Sequence, residues 1–370
     1  MTNLRPSAEK IKVYEAGFCR AKSDWLIGMN MSRIYKIYYL QTFEKYGIGR
    51  VTTPTLAMIA QRDREIANFV KRPFFTLSLE NKADWFMFEG EVKIDTFPTK
   101  AEAERIKNRC IGKTATVIKA DKTEKKENRP LLFSLTSLQQ EANEEHGFSA
   151  ARTLTTAQDL YDKRLLTYPR TDSNYITKDM KSQCSALVTK LTFFDANQVG
   201  KLTAQGLNLD KRIVNDAKVS DHHAIIPTSD IAKMQTMELT PDEKTILETV
   251  CKRFLTTLDG QHVYDETHYV FDVDGETFEL TEKQSKSLGW REYIKPKKET
   301  PPCRNYTKGD SFIVDKITIG EKETSPPKPF TEATLLAAME NISRRIDDKD
   351  KAEFVKERGL GTPATRAAII

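Results

Sequence analysis

Cysteine pairs, long apolar runs and phosphate-binding glycine loops are all missing from this sequence. Its five cysteines, Cys19, Cys110, Cys184, Cys251 and Cys303, are scattered, with no Cys-x-x-Cys spacing. Neither a disulfide framework nor a zinc ribbon is indicated, and a reducing cytoplasm fits. No apolar stretch approaches the roughly 18 residues that a membrane-spanning helix needs. The opening residues, MTNLRPSAEK, have no apolar core of the kind a secretory signal carries. No glycine-rich loop of the P-loop type is present. The expectation is a cytoplasmic protein with no membrane partner. What the sequence has instead is charge. Charged residues make up 30% and hydrophobic residues 39% of 370 residues, a length that suits two or three domains. The formal net charge of +5 permits nucleic-acid binding, provided the cations gather on one surface.

The hydrophobic period changes repeatedly along the chain. Residues 1–73 read as helical. Ala16 to Phe43 carries Trp25, Leu26, Met29, Ile34 and Ile37 at helical spacing, and Gly47 and Gly49 break it. A second helix opens with Thr53 as N-cap and Pro54 in the first position, with an apolar stripe of Leu56, Ile59, Ala60, Ile66 and Val70. Alternation then takes over at Phe75, Leu77 and Leu79, at Trp85 and Met87, and at Ala115 and Val117, which predicts strands. The charged run from Lys119 to Arg129 reads as a solvated linker. The next section is helical again, with starts at Thr136 (a capping box with Gln139), Ser149, Thr177 and Thr240-Pro241, and a stop at Gly147. Strands return beyond it, with a hairpin turn at Asp274-Gly275 and another strand around Phe312, Val314 and Ile319. The last part is helical from Thr331 to about Ile346, and Thr362-Pro363 opens a final helix with Arg366 one turn in.

This order predicts an α+β, multidomain fold with two mainly helical domains joined by a β-rich arch. Nesting is the simplest arrangement. Residues 1–73 and 320–370 would form an outer helical domain, 74–130 and 259–319 the arch, and 131–258 an inner helical domain. Each boundary would then be crossed twice, giving paired hinges that suit a body able to open and shut. Three domains in a row fit the same composition.

The chemistry concentrates in Leu165 to Ile176, LLTYPRTDSNYI. The proline after Tyr168 holds that tyrosine out of helical geometry. Arg170 is a permanent cation whose fork matches phosphate oxygens, and Asp172 can orient that guanidinium or cap the next segment. A phenol with a pKa of about 10 is a poor nucleophile. It becomes useful where a fixed cation favours the phenolate and the charge developing on a phosphoryl group. The same residue types also make a plain turn, with the tyrosine filling space. His222 and His223, in Asp221 to Thr228, are the candidates for a third group, because a charged imidazole pairs with a phosphate oxygen. The alternative is that one of them packs locally and the other faces solvent. The remaining histidines, His146, His262 and His268, have no suitably spaced thiols, so zinc is not expected. Asp272 and Asp274 sit in the hairpin and are not read as metal ligands. Arg50 lies just ahead of a helix N-terminus that favours an anion, or it simply faces solvent.

Taken together, these motifs resemble the type IA DNA topoisomerases, and within them the bacterial topoisomerase III branch. The matching stretches are SDWLIGMNMSR at 23–33, GRVTTPTL at 49–56, LFSLTSLQ from 132 through TYPRTDS ending at 173, DHHAIIPT at 221–228, FTEATLLAAM at 330–339 and GLGTPATRA at 359–367. They span nearly the whole chain in the family's order. The resemblance implies a padlock-shaped architecture in which the tyrosine-bearing domain lifts on a β arch. It also implies that Tyr168 attacks one DNA strand and keeps its 5′ phosphate, that Arg170 contacts the scissile phosphate, and that His222 positions DNA. His223 stands where other members vary. Arg33 and Arg50 fall in stretches that line the single-strand groove, and Asp172 belongs to the same motif as Tyr168. Thr52 replaces a glutamine common at its position, which weakens that contact.

The family places an acidic, Mg2+-binding Toprim domain ahead of the point where this sequence starts, and no matching acidic cluster occurs here. The resemblance therefore implies a fragment without its metal half. Such a fragment is expected to be monomeric, to bind single-stranded DNA, to hold no metal itself and to cleave little alone. The alternative of another class is a non-catalytic DNA-binding or architectural module. A tyrosine recombinase is a third, and it would link to the other side of the break.

Overall fold

The computed structural model describes residues 7–39, 47–81, 86–88, 97–219, 221–294, 304–355 and 359–370. In chain order the helices and strands begin α1 (Ile11–Tyr39), α2 (Thr52–Ala67), β1 (Pro73–Asn81), β2 (Phe86–Phe88), α3 (Lys100–Cys110) and β3 (Thr114–Glu127). A helical run comes next: α4 (Leu135–His146), α5 (Ala150–Asp162), α6 (Lys181–Lys190), α7 (Ala196–Gln205) and α8 (Pro241–Thr257). The chain closes with β4 (His262–Val273), β5 (Glu276–Ser287), β6 (Ser311–Ile313), β7 (Lys316–Glu323), α9 (Glu332–Glu340), α10 (Lys349–Val355) and α11 (Pro363–Arg366). Two compact units result. One comprises Met1–Asn68, Gln139–Ala151 and Pro327–Ile370; the other comprises Phe69–Leu138 and Arg152–Pro326.

The first unit has a small core of Met58 on α2 with Leu335 and Met339 on α9, flanked by Phe330 and Leu360. Ile59 of the expected stripe packs against that core, but the buried face of α2 is shifted toward Thr55 and Met58. Thr55 and Met58 are buried, whereas Leu56 is 66% exposed. The helix also starts earlier than its expected cap. Val51 holds the N-cap place without a side-chain bond. Thr53 lies inside the helix and accepts a hydrogen bond from the Gly49 N–H at 3.1 Å. The Ala150 N–H at the start of α5 donates to the Glu332 carboxylate at 2.6 Å. At the start of α9, the Ala333 N–H donates to the Asn143 side chain at 3.1 Å. Both bonds satisfy donors that a helix start leaves without an intrahelical partner.

The second unit holds both sheets. A three-stranded antiparallel sheet runs β2-β1-β7, and a four-stranded antiparallel one runs β5-β4-β3-β6. Their inner faces share one core, in which Leu77 and Leu79 of β1 meet Val117 of β3, Phe271 of β4 and Ile317 of β7. The alternation expected at Phe75, Leu77 and Leu79 is thus the buried face of a strand. The hairpin turn is present at Asp274 (φ 53) and Gly275 (φ 84), the two left-handed residues of a tight turn. The expected strand around Phe312 to Ile319 is two strands, one in each sheet. Trp85 and Cys303 lie outside the described residues.

Two features of this unit depart from the sequence reading. The run from Lys119 to Arg129 is no linker, since β3 continues through Glu127 and pairs with β4 to its end at Glu127↔His262. Cross-strand charge replaces burial there. Lys122 pairs with Asp265 at 2.8 Å, and Lys286 reaches the same carboxylate at 2.7 Å. Arg129 is buried at 2% exposure, held by Asp210 at 2.7 Å. The second is α3, a helix that the strand reading of this β-rich section does not include. Thr99 caps it by accepting from the Glu102 N–H, and Ala103, Ile106 and Cys110 turn into the sheet core.

The helical part of this unit is built around α8. At the expected start, Thr240 and Glu243 form a capping box with Pro241 in the first turn. Ile246, Leu247, Val250 and Phe254 are each at most 1% exposed. At the start of α4 the reciprocal bonds are made by Ser134 and Ser137, not by Thr136 and Gln139. Gly147 ends α4 with φ 68, as its sequence position predicts.

Candidate active site

Helix α5 stops in a Schellman turn: the Leu165 N–H donates to Leu160 and the Arg164 N–H to Tyr161. The left-handed position of that turn is occupied by Arg164 itself, at φ 62, where glycine is usual. The turn drops Leu165 and Leu166 into the core at 0% and 1% exposure. From there the chain runs extended beside the histidine motif. Thr167 donates its N–H to Ile226 and its hydroxyl to Ala224, and Thr228 returns an N–H to Leu165. Further along, the Thr171 hydroxyl donates to the His222 carbonyl at 3.0 Å, and the Ala224 N–H donates to Tyr175 at 2.8 Å. The two motifs read separately in the sequence are therefore laced together along their backbones.

Burial alternates through the tyrosine stretch. Pro169, Thr171 and Ser173 are buried, while Arg170 and Asp172 are exposed and Tyr168 is half-buried. Tyr168, Arg170 and Asp172 are thus the accessible side chains of this stretch, with a bend at Pro169 between the first two. The Tyr168 ring lies 4.4 Å from the His222 ring and meets Tyr161 edge-on at 5.4 Å. It lines a cavity of about 510 Å3 together with Tyr161, Arg164, Thr167 and His223. Arg170 makes no hydrogen bond or ion pair among the described residues. Its donors are thus available to an anion, which is what a phosphate site needs. His223 is the member of the doublet that bonds locally. Its Nδ1 lies 2.8 Å from the Ala224 carbonyl, an acceptor, so that nitrogen carries the proton.

Arg33, Arg50 and Thr52 belong to the other compact unit. Arg33 is exposed on α1, and Thr52 begins α2. Arg50 is tied to Asp24 of α1 through a two-pronged contact at 2.7 and 3.2 Å. That hydrogen bond holds the Asp24 carboxyl below the usual carboxylate range. Sequence reasoning misses Tyr161 and Arg164 as members of the site. The available signal for Tyr161 is its place seven residues before Tyr168, near the end of α5. Among the described residues no three His, Cys, Asp or Glu side chains are gathered to hold a metal ion. No described helix is long and apolar enough to cross a membrane.

The family model of the DNA topoisomerases matches residues 8–370. The chain belongs to the DNA topoisomerase family. Within it, similarity runs to proteins named DNA topoisomerase 3. The protein of that name from Bacillus licheniformis is 35% identical, covering 100% of this chain and 52% of that protein. The one from Vibrio cholerae is 32% identical, covering 100% of this chain and 60% of that protein. This topoisomerase-family chain thus spans little more than half the length of the curated relatives it matches. The full-length topoisomerase I of Thermotoga maritima shares the fold with a TM-score of 0.69 at 24% identity, over 94% of this chain and 54% of that one.

Proposed function

We propose that this chain carries the nucleophile-bearing part of a topoisomerase III-like enzyme. In this reading Tyr168 opens one DNA strand and holds its 5′ phosphate as a phosphotyrosine while another strand passes. The observation that carries the reading is His222 packed against the accessible phenol of Tyr168, with the exposed Arg170 two residues along the chain. In-line displacement at a phosphodiester needs three things: an oxygen nucleophile, a cation for the charge that builds on the phosphoryl oxygens, and a group that fixes the strand. Tyr168 supplies the first, Arg170 the second and His222 the third. Arg33, Arg50 and Thr52, in the other compact unit, are assigned in this reading to contacts with single-stranded DNA. No ATP is involved, because the phosphotyrosine conserves the energy of the broken bond.

Mg2+ use belongs to the family likeness, and the described side chains do not offer a metal site. No step here is routed through a metal, and cleavage is proposed to depend on groups beyond these 370 residues. The chain alone is expected to bind single-stranded DNA with an affinity that falls as salt rises. The deciding experiment uses a protein containing this sequence in full length, with end-labelled single-stranded DNA and Mg2+, on a denaturing gel. A covalent band linked to the 5′ phosphate is expected, and it disappears in Tyr168→Phe. A band that survives that substitution overturns the assignment.

A further inference from the structure

The cavity beside Tyr168 adjoins a second one of about 480 Å3. The two share Thr167, His223 and Thr228 as a common wall. We propose that this second cavity receives the nucleobase of the nucleotide that Tyr168 holds through its 5′ phosphate. The proposal rests on the phosphotyrosine reading above and deepens it.

Connectivity sets the distance. In a 5′ phosphotyrosine, the sugar and base joined to that phosphate must lie within one nucleotide of the phenol oxygen. A cavity that shares a wall with the Tyr168 site is within that reach. Its chemistry suits a base. Met180, Leu187 and Ile226 form walls that are each less than 9% exposed. They provide flat apolar and thioether surface for a π face, which every base has. The polar groups sit at the rim. Gln183 is exposed, and its side chain makes no hydrogen bond among the described residues. Its amide offers a donor and an acceptor together, the pair that reads a base edge. The shared wall contributes His223. With its Nδ1 committed to Ala224, the remaining ring nitrogen is left for a ligand. Lys190 is fixed across the rim by its bond to the Ser229 carbonyl at 2.9 Å. A base seated here would make cleavage depend on the nucleotide just 3′ of the break.

Photo-cross-linking tests this with the chain as it stands. Short single-stranded oligonucleotides each carry one 5-iododeoxyuridine at a different position. After irradiation, the attached peptides are identified by mass spectrometry, and binding is measured in parallel. One position is expected to attach to a peptide containing Met180 or His223. Ala186→Phe, at an exposed rim position of α6, narrows the mouth without touching the core. It is expected to lower that yield about tenfold and overall affinity by no more than about twofold, since one base among several is displaced. Bound DNA that attaches only elsewhere, or a yield unchanged by Ala186→Phe, overturns the base site and leaves the nucleophile reading standing. Failure to bind single-stranded DNA at all removes both.

Discussion

Helix α1 is richer in apolar residues than α8, yet the two meet opposite fates. Over 29 residues α1 buries none, leaving Trp25 at 62%, Leu26 at 50% and Ile37 at 77% exposed. Over 17 residues α8 buries ten, among them Glu243. Both are legible as helices from their apolar spacing, because that pattern reports how side chains line up along a backbone. It does not report whether another element arrives to cover them. Among the described residues nothing covers the stripe on α1. That places α1 well above the apolar exposure usual for a protein surface.

The sharpest way to break this contrast is to truncate one large side chain on each helix. Phe254→Ala removes a ring that is 1% exposed, and about 3–5 kcal/mol of stability should go with it. Trp25→Ala removes a larger side chain from α1 yet should change stability by no more than about 0.5 kcal/mol. Denaturant unfolding of both variants, followed by circular dichroism, checks the pair. Comparable losses would mean that α1 is packed in solution and that the comparison is false.

A second substitution asks whether the unit that contains α1 is loose throughout. Gly359 sits at φ 65, and a Cβ there would lie 2.7 Å from the Arg366 guanidinium and 3.1 Å from the Met339 and Glu340 carbonyls. Arg366 is itself 2% exposed and donates to the Leu360 and Gly361 carbonyls. Gly359→Ala therefore meets both left-handed strain and a fixed neighbour, and should cost about 1–3 kcal/mol. A loss under half of that, in the same unfolding measurement, would show that this corner gives way as easily as α1 is exposed.

Much of the site is legible in the sequence, for a local reason. A residue before proline, a capping threonine and an Asp-Gly turn each restrict the backbone within a few residues, so Tyr168, Thr240 and Asp274-Gly275 fall where the sequence puts them. Pairings across the chain are not legible. That Tyr168 meets His222 depends on hydrogen bonds between segments more than fifty residues apart, such as Thr167 to Ala224. The charged strand escapes for the same reason. Lys122 looks like a linker residue until Asp265 is known to face it. In α2 the sequence points to the right helix and to only part of the right face, Ile59 but not Leu56, because Leu335 and Met339 choose which side is covered, and they lie near the other end of the sequence.

The smallest effect concerns how much of α8 comes from its cap and how much from its buried face. Burial alone would raise the Glu243 carboxyl, whose side chain is 5% exposed, but the Lys163 ammonium at 2.7 Å and the Thr240 N–H at 2.9 Å outweigh it and hold it below the ordinary 4.5. A carboxyl with a lowered folded pKa stabilises the fold above its unfolded value, and that contribution is lost as the pH falls through the folded one. Glu243→Gln keeps the side-chain oxygen for the cap and removes the charge. At neutral pH it should cost about 0.5–1 kcal/mol relative to the parent. The gap should narrow steadily below about pH 4.5 as the parent carboxyl protonates. Other carboxylates titrate alike in both proteins, so the difference between them isolates this one. A gap of the same size at pH 7 and pH 3 would place the role of Glu243 in shape alone, and would leave α8 resting on its buried apolar face.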